Sequence, residues 1–476
     1  MFIGPSGTFG CEVFVFIVIN KVMHIMNIFV DSRIVSIVLK FSFSVPFSSA
    51  CNIGFYKQLI LYFDILSPMK IIITTLFGLE SPTKGDLLDR GYEKERITVN
   101  DGVVTLEGDY LDVARANMWA KHAERIFFET GEFACGASDD PDTNFNAFFE
   151  GCRAIKWSDF IPANWAFVVN GFSRKSKLYG VPALQKLAKK AIAESLAVSR
   201  GLSADTLISE NEELGTVKIQ FGIVNDTCRF MVDTSGAGLH KRGYRPLTHE
   251  APIRETLASG MLTYAKYRPY GNEALVDPFC GSGTIVIEAA RTACGIAPGR
   301  DRHFAYEALP YIGKGPYQRA LEEARDNEDT EPMDDCYFYG SDIDPKAVES
   351  AKNNAESAGV GKLVKFRLAD AAKMTPEYLE KLTSLPRQLV ITNPPYGGRL
   401  MTPEDADKIY RLIGHNYLTR DGFCKKGLRL SVITPENAFE EATGYRPDKR
   451  VKLYNGAIVC TLSNYFKLGD RNNGNR

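Results

Sequence analysis

The chain has 476 residues, with 57 Lys and Arg against 58 Asp and Glu and a net charge of −1. That length allows two or three domains with large buried cores, and the balanced charge excludes a global basic field, so any nucleic-acid contact rests on local patches. The ten cysteines stand singly, with no CxxC pair and no histidine cluster, which excludes a zinc signature and predicts no metal.

The first 68 residues differ from the rest. Phe14-Val-Phe-Ile-Val-Ile19 and Ile34-Val-Ser-Ile-Val-Leu39 are apolar, but Lys21, His24, Asp31, Arg33 and Lys40 interrupt them. No run reaches the roughly 20 apolar residues of a spanning helix, and no basic start precedes a compact apolar segment. Residues 1–68 therefore read as a non-native or disordered extension, with no membrane partner. Uncharged thiols in a reducing, cytoplasmic compartment fit the cysteine usage.

Regular patterning begins at Met69. Residues 71–75 are β-branched and read as a strand. Residues 97–99 and 103–106 flank Asp101-Gly102 and predict a hairpin. Residues 109–128 predict a helix, with Leu111, Ala114, Met118 and Ala123 near helical spacing. A strand follows at 165–170, then a helix at 181–197 carrying Lys186, Lys189 and Lys190, then strands at 217–221 and 227–232. Residues 69–235 thus form an α+β domain. Residues 236–250 read as a linker. Its segment Gly236-Ala-Gly-Leu-His240-Lys241-Arg242-Gly-Tyr244-Arg245 combines glycine with positive charge, which suits either a phosphate-contact strip or a plain solvated loop.

Residues 251–468 alternate strand and helix, the mark of a doubly wound parallel sheet. Strands are expected at 274–276, 337–339, 363–366, 389–391 and 428–433. The alternation ends in a hairpin, 451–454 and 457–462, around Asn455-Gly456, which makes the final strand antiparallel. Residues 469–476 are a polar tail.

Three strand tips carry chemistry. Asp277-Pro278-Phe279-Cys280-Gly281-Ser282-Gly283-Thr284 lies between a strand and a helix. Its glycines let backbone turn tightly and approach a ligand, and ligands of open parallel sheets bind at such strand ends. The Gly-Lys-Ser/Thr ending of a P-loop and the full G-x-G-x-x-G are both absent, which disfavours a nucleotide triphosphate and a dinucleotide. Asp277 would repel phosphate but suits an ammonium or sulfonium group. At the next tip, Asp342 can accept hydrogen bonds from ribose hydroxyls, while Asp344-Pro345 reads as a helix cap. The stretch 295–335 between them reads as an insertion near the site, over the substrate, and holds Arg300, Arg302, His303, Phe304 and Tyr306. Asp370, at the third tip, can accept from an adenine amino group.

The fourth strand ends in Asn393-Pro394-Pro395-Tyr396-Gly397. The prolines fix φ and remove competing backbone donors. The Asn393 side-chain oxygen and the Pro394 carbonyl are then free to accept from an amine, and such acceptors act mostly as charge develops on the nitrogen in the transition state. Tyr396 offers a ring face to an unstacked base. No general base is required, because the proton becomes acidic once the nitrogen is alkylated.

These motifs together resemble the class I amino-methyltransferases. Phe77-Gly-Leu-Glu80, Leu239-His-Lys-Arg-Gly-Tyr-Arg245 and Ala251-Pro-Ile-Arg-Glu-Thr-Leu-Ala258 are similar to the THUMP-domain family of bacterial 23S rRNA guanine-N2 methyltransferases, over about residues 69–468. The resemblance implies a Rossmann-like catalytic domain, a mostly parallel sheet with an antiparallel final strand. Before it stands an RNA-gripping ferredoxin-like and THUMP domain. It also implies S-adenosyl-L-methionine as cofactor, held by Asp277, Pro278, Phe279, Gly281, Ser282, Gly283, Thr284, Asp342, Asp370 and Asn393. Asn393, Pro394, Pro395 and Tyr396 become the target-amine site. The RNA partner is 23S rRNA or its large-subunit precursor, contacted through His240, Lys241, Arg242, Tyr244, Arg245, Lys186 and Lys189. Some relatives carry a second fused methyltransferase module, and that second activity is not expected here. A tRNA guanine-N2 enzyme and a non-catalytic RNA-binding assembly factor are the competing readings.

Overall fold

The computed structural model describes residues 69–245, 252–269, 271–330, 338–396 and 401–468. The expectations for residues 1–68, 246–250 and 469–476 lie outside these. The described residues form one compact unit built on two seven-stranded sheets.

The first sheet takes its strands from β1 (Met69–Thr75), α1 (Glu80–Asp89), β2 (Ile97–Asn100), β3 (Val103–Gly108), α2 (Tyr110–Trp119), β4 (Ala123–Ala134), α3 (Pro141–Ala154), β5 (Trp165–Arg174), α4 (Val181–Ser199), β6 (Asn211–Val224) and β7 (Thr227–Asp233). The strand order is β2-β3-β1-β4-β7-β6-β5. The first four strands and their two helices give the ferredoxin-like βαββαβ order, and β5 to β7 extend the same sheet through the β4–β7 pairing.

The helix expected over 109–128 is half as long. It opens with a capping box between Asp109 and Asp112 and ends at Trp119. Residues 123–134 are instead a strand. Its central residues alternate in period two: Ile126 and Phe128 enter one core and Phe127 the opposite one, with Ile72 and Met231. A central strand buried on both faces carries no polar stripe, so Ala123 only mimicked helical spacing.

The second sheet is assembled from α5 (Glu255–Tyr264), β8 (Glu273–Asp277), α6 (Thr284–Ala293), α7 (Gly315–Asp326), β9 (Phe338–Asp342), α8 (Pro345–Ser357), β10 (Val364–Leu368), α9 (Pro376–Leu382), β11 (Arg387–Thr392), α10 (Pro403–Tyr417), β12 (Leu428–Pro435), α11 (Ala438–Thr443), β13 (Lys449–Asn455) and β14 (Ile458–Tyr465). Its order is β10-β9-β8-β11-β12-β14-β13, with β14 antiparallel to both neighbours. This is the Rossmann-like class I layout. The reversed strand sits between β12 and β13 rather than at the edge. Alternate residues bury on opposite faces: Leu275, Leu389 and Ile391 against α5, α6 and α8, and Val276, Val390 and Val432 against α10. The chain leaves β8 toward β9 on one side and returns as β11 on the other, which places the ligand crevice between them.

The described part of the insertion, residues 295–330, packs against the first sheet. Phe304, Tyr306, Leu309 and Tyr317 bury in the core of the first sheet, among residues of α2 and β4. Tyr306 N–H donates to the Thr234 carbonyl at 3.1 Å, Gly299 N–H to the Met118 carbonyl at 2.9 Å, and Arg115 of α2 forks onto Glu323 of α7 at 2.6 and 2.8 Å. The arm is a brace between the two sheets, and its aromatic residues are consumed by that packing.

Candidate active site

The turn after β8 shows why its residues are glycines. Gly281 and Gly283 both take positive φ, 50° and 82°. A Cβ at Gly283 would fall 2.8 Å from the Phe366 ring and 3.0 Å from Ala351, so this glycine lets α6 pack onto α8 and β10. A Cβ at Gly281 would meet nothing within 4 Å. The open side of the turn is therefore at Gly281. Its N–H donates to Asp342 Oδ2 at 2.9 Å, while Asp342 Oδ1 accepts from Asp344 N–H at 3.0 Å. Asp342 is thus locked at the tip of β9, beside the turn. Asp344 caps α8 through Lys346 N–H, the structural role its sequence context predicts.

Asp277 is 1% exposed. Its Oδ1 accepts from the Thr392 hydroxyl at 2.7 Å and from Phe279 N–H at 3.1 Å. Burial, with Asp342 nearby, raises its pKa from 3.8 to about 7. Pro278 is buried and Phe279 half-buried. Ser282 is half-buried; its carbonyl accepts from Asn354 of α8 at 3.0 Å. The Thr284 side chain is buried and accepts from Arg245 at 3.0 Å, so a ligand contact there falls to the backbone at the start of α6. Asp370 is exposed and caps a short turn through Ala372 N–H at 2.9 Å.

At the tip of β11, between β8 and β12, Asn393 is half-buried and its side chain makes no hydrogen bond among the described residues. Pro394 is buried, and Pro395 and Tyr396 are half-buried. The Tyr396 ring packs toward the core on the α10 side, and its hydroxyl accepts from Asn455 Nδ2 at 2.7 Å. Burial raises the Tyr396 pKa above its usual value. A free amide oxygen between rigid prolines and a glycine turn is an arrangement that can receive an amine.

Sequence reasoning missed two apolar residues at these tips, Ile343 after β9 and Leu368 at the end of β10, which are 71% and 59% exposed. Leu368 is paired with Asp342 across β9 and β10, and both exposed aliphatics can offer apolar surface to a planar ring. Their signal was an apolar residue within two positions of each tip carboxylate.

The positive strip divides. Arg242 and Tyr244 are each 2% exposed. Arg242 donates to the carbonyls of Leu239 and Lys121 and lies 3.7 Å from Glu288, whose other oxygen accepts from Tyr244 at 3.0 Å. Arg245 pairs with Glu255 at 2.7 Å. These three are corrections: they lock the strip onto α5 and α6 instead of facing solvent. Local composition marks them as exposed loop residues, but Glu288 of α6 and Glu255 of α5 hold them. Half-buried His240 sits 3.5 Å from Glu124. Lys241, Lys186 and Lys189 are exposed, with Lys189 3.5 Å from Glu210. All seven described cysteines are buried, as expected. Among the described residues no cluster could hold a metal and no helix is long and apolar enough to cross a membrane.

Residues 242–464 match a family model described as RMKL-like, methyltransferase domain, and residues 70–127 match one described as RlmL ferredoxin-like domain. "Putative RNA methyltransferase YpsC" of Bacillus subtilis (strain 168) is 36% identical over 398 residues, covering 83% of this chain and 95% of that protein. "Ribosomal RNA large subunit methyltransferase K/L" of Psychromonas ingrahamii is 31% identical over 401 residues, or 83% of this chain, and the chain spans only 50% of that relative's length. SMU.472, solved complexed with SAH, superposes with a TM-score of 0.73 at 30% identity, covering 85% of this chain and 100% of that one.

Proposed function

The chain belongs to the RMKL-like methyltransferases, and from that premise we propose that it transfers a methyl group from S-adenosylmethionine to the exocyclic N2 amine of a guanine in 23S ribosomal RNA. The family and the relatives' names support an S-adenosylmethionine-dependent RNA methyltransferase. The guanine N2 amine and 23S rRNA are proposed beyond that. The observation that carries the amine target is the unbonded Asn393 side chain at the tip of β11, one strand away from the glycine turn.

The site fits the cofactor. Open space at Gly281 admits a ligand against the backbone, the Asp342 carboxylate suits ribose hydroxyls, Asp370 suits an amino group, and Ile343 and Leu368 suit the faces of an adenine. When bound, the cofactor supplies an electrophilic methyl group. Asn393 Oδ1 and the Pro394 carbonyl accept the two N–H bonds of the target amine and hold its lone pair toward the cofactor side. As the nitrogen becomes positive these acceptors bind it more strongly, which lowers the barrier rather than the ground state. The proton then leaves to solvent. Tyr396 supports the base with the exposed part of its ring. Residues 69–235 grip the RNA, with Lys186, Lys189 and Lys241 against phosphates, in the cytoplasm where ribosomes mature.

Labelled S-adenosylmethionine, incubated with the full chain and RNA from cells lacking it, tests the reading. Digestion should place the label in N2-methylguanosine of 23S rRNA. Label in N6-methyladenosine would refute the target amine, and label in tRNA alone would favour the tRNA reading.

A further inference from the structure

Asn455 looks in the sequence like a turn residue, the first half of an Asn-Gly pair. The structure gives it another place. Asn455 is the last paired residue of β13, opposite Ile458, so the two-residue turn is Gly456-Ala457. Gly456 takes φ 64°, and neither Asn455 nor Ala457 has positive φ. A glycine at the first central position is what a type II′ turn requires, and that turn asks nothing of residue 455. Its side chain instead reaches the segment after β11 and donates to the Tyr396 hydroxyl at 2.7 Å.

The hairpin that carries Asn455 is itself held. Lys449–Asn455 pairs with β14 over seven positions. On its other side, Phe77 packs against Tyr454 with ring centroids 5.8 Å apart. A Cβ at Gly78 would lie 2.5 Å from the Lys452 carbonyl oxygen, so only glycine allows the segment after β1 to come this close. Leu79 and Leu453 share one core. Asn455 is therefore a fixed donor, and Tyr396 is held at both ends, by its packed ring and by its hydroxyl.

We propose that Asn455 is a positioning residue for methyl transfer: it sets the ring of Tyr396 and, through the adjoining prolines, the direction of the Asn393 and Pro394 acceptors. This rests on the reading of Asn393 to Tyr396 as the target-amine site. An untied phenol can swing about its side-chain torsions, and a base resting on it then leaves the attack line. Misplacements of about 1 Å cost rate rather than cofactor affinity.

Steady-state kinetics of the full chain on total RNA from cells lacking the protein, with S-adenosylmethionine, test this. Asn455→Ala should lower kcat by roughly tenfold with an unchanged KM for S-adenosylmethionine. Asn455→Asp should restore most of the rate, because its carboxylate accepts from the Tyr396 hydroxyl. Tyr396→Phe should lose a similar factor, and adding Asn455→Ala to it should cost nothing more. If Asn455→Ala keeps wild-type kcat while Tyr396→Phe loses it, the inference falls and the site stands. If Asn455→Ala and Asn455→Asp lose melting temperature and kcat alike, the role is structural and the inference falls. If neither Asn393→Ala nor Tyr396→Ala lowers kcat, the site reading itself falls.

Discussion

Thr392 donates its hydroxyl to the buried carboxylate of Asp277 at 2.7 Å, joining the last residue of β11 to the last residue of β8. The two strands are parallel neighbours, with Val390 opposite Val276. The bond therefore sets the height of Asn393 against the glycine turn. Asp277 also brings a pH dependence. Its pKa is about 7 in the folded chain against a usual 3.8, so the folded state binds the proton more tightly than the unfolded one. This stabilisation is complete below about pH 4 and is lost as pH rises through about 7. Melting temperatures of the wild type should fall over that window relative to Asp277→Asn, which keeps an acceptor for Thr392. Parallel melting curves would contradict it.

The two glycines of the turn should fail differently. Gly283→Ala forces a Cβ into Phe366 and Ala351 at φ 82°, and should destabilise the fold by about 1–3 kcal/mol. Gly281→Ala also bears the strain of φ 50° but meets no protein atom within 4 Å, so it should destabilise less than Gly283→Ala and act more on S-adenosylmethionine affinity. Thermal melts and calorimetry on both variants check the contrast. Equal losses of affinity and stability in both would refute it.

Asn393→Ala should leave the melting temperature unchanged, because the side chain has no hydrogen bond to the described protein. It should leave S-adenosylmethionine affinity within about threefold while reducing kcat by roughly 10²–10³, the usual loss for a transition-state hydrogen-bonding partner. Calorimetry with single-turnover methylation separates the two effects.

Arg242 and Lys241 are adjacent in sequence and opposite in consequence. Arg242→Ala leaves Glu288 without its buried cation and should cost about 3–5 kcal/mol of stability. Lys241→Ala should leave stability intact and weaken RNA binding, lowering the slope of log affinity against log salt by about 0.7–0.9. Denaturant melts and filter binding across salt concentrations distinguish them.

The site was legible where its chemistry is local. Positive-φ glycines, prolines after an asparagine and a carboxylate at a strand tip each announce themselves within a few residues, and parallel pairing brings the carboxyl ends of β8, β9, β10 and β11 to one side of the sheet. What the sequence hid depends on distant partners. The strand 123–134 follows a well-capped helix and is buried on both faces, so periodicity ran on past Trp119. Arg242, Tyr244 and Arg302 carry loop composition, yet Arg242 and Tyr244 are buried and Arg302 reaches from the brace to the carbonyls of Ala237, Gly238 and Lys241 in the strip. Asn455 imitated a turn residue because a glycine follows it, and only the register of β13 on β14 shows that the turn begins one residue later.

The central claim, methylation of a guanine N2 amine in 23S rRNA, is tested most directly by a mass-spectrometric map of modified nucleosides in rRNA and tRNA. The cells compared lack the protein, or carry it as wild type or as Asn393→Ala. The account predicts that one N2-methylguanosine of 23S rRNA disappears without the protein, returns with the wild type and stays absent with Asn393→Ala. A 23S map unchanged by deletion, or a site restored equally by Asn393→Ala, would contradict it.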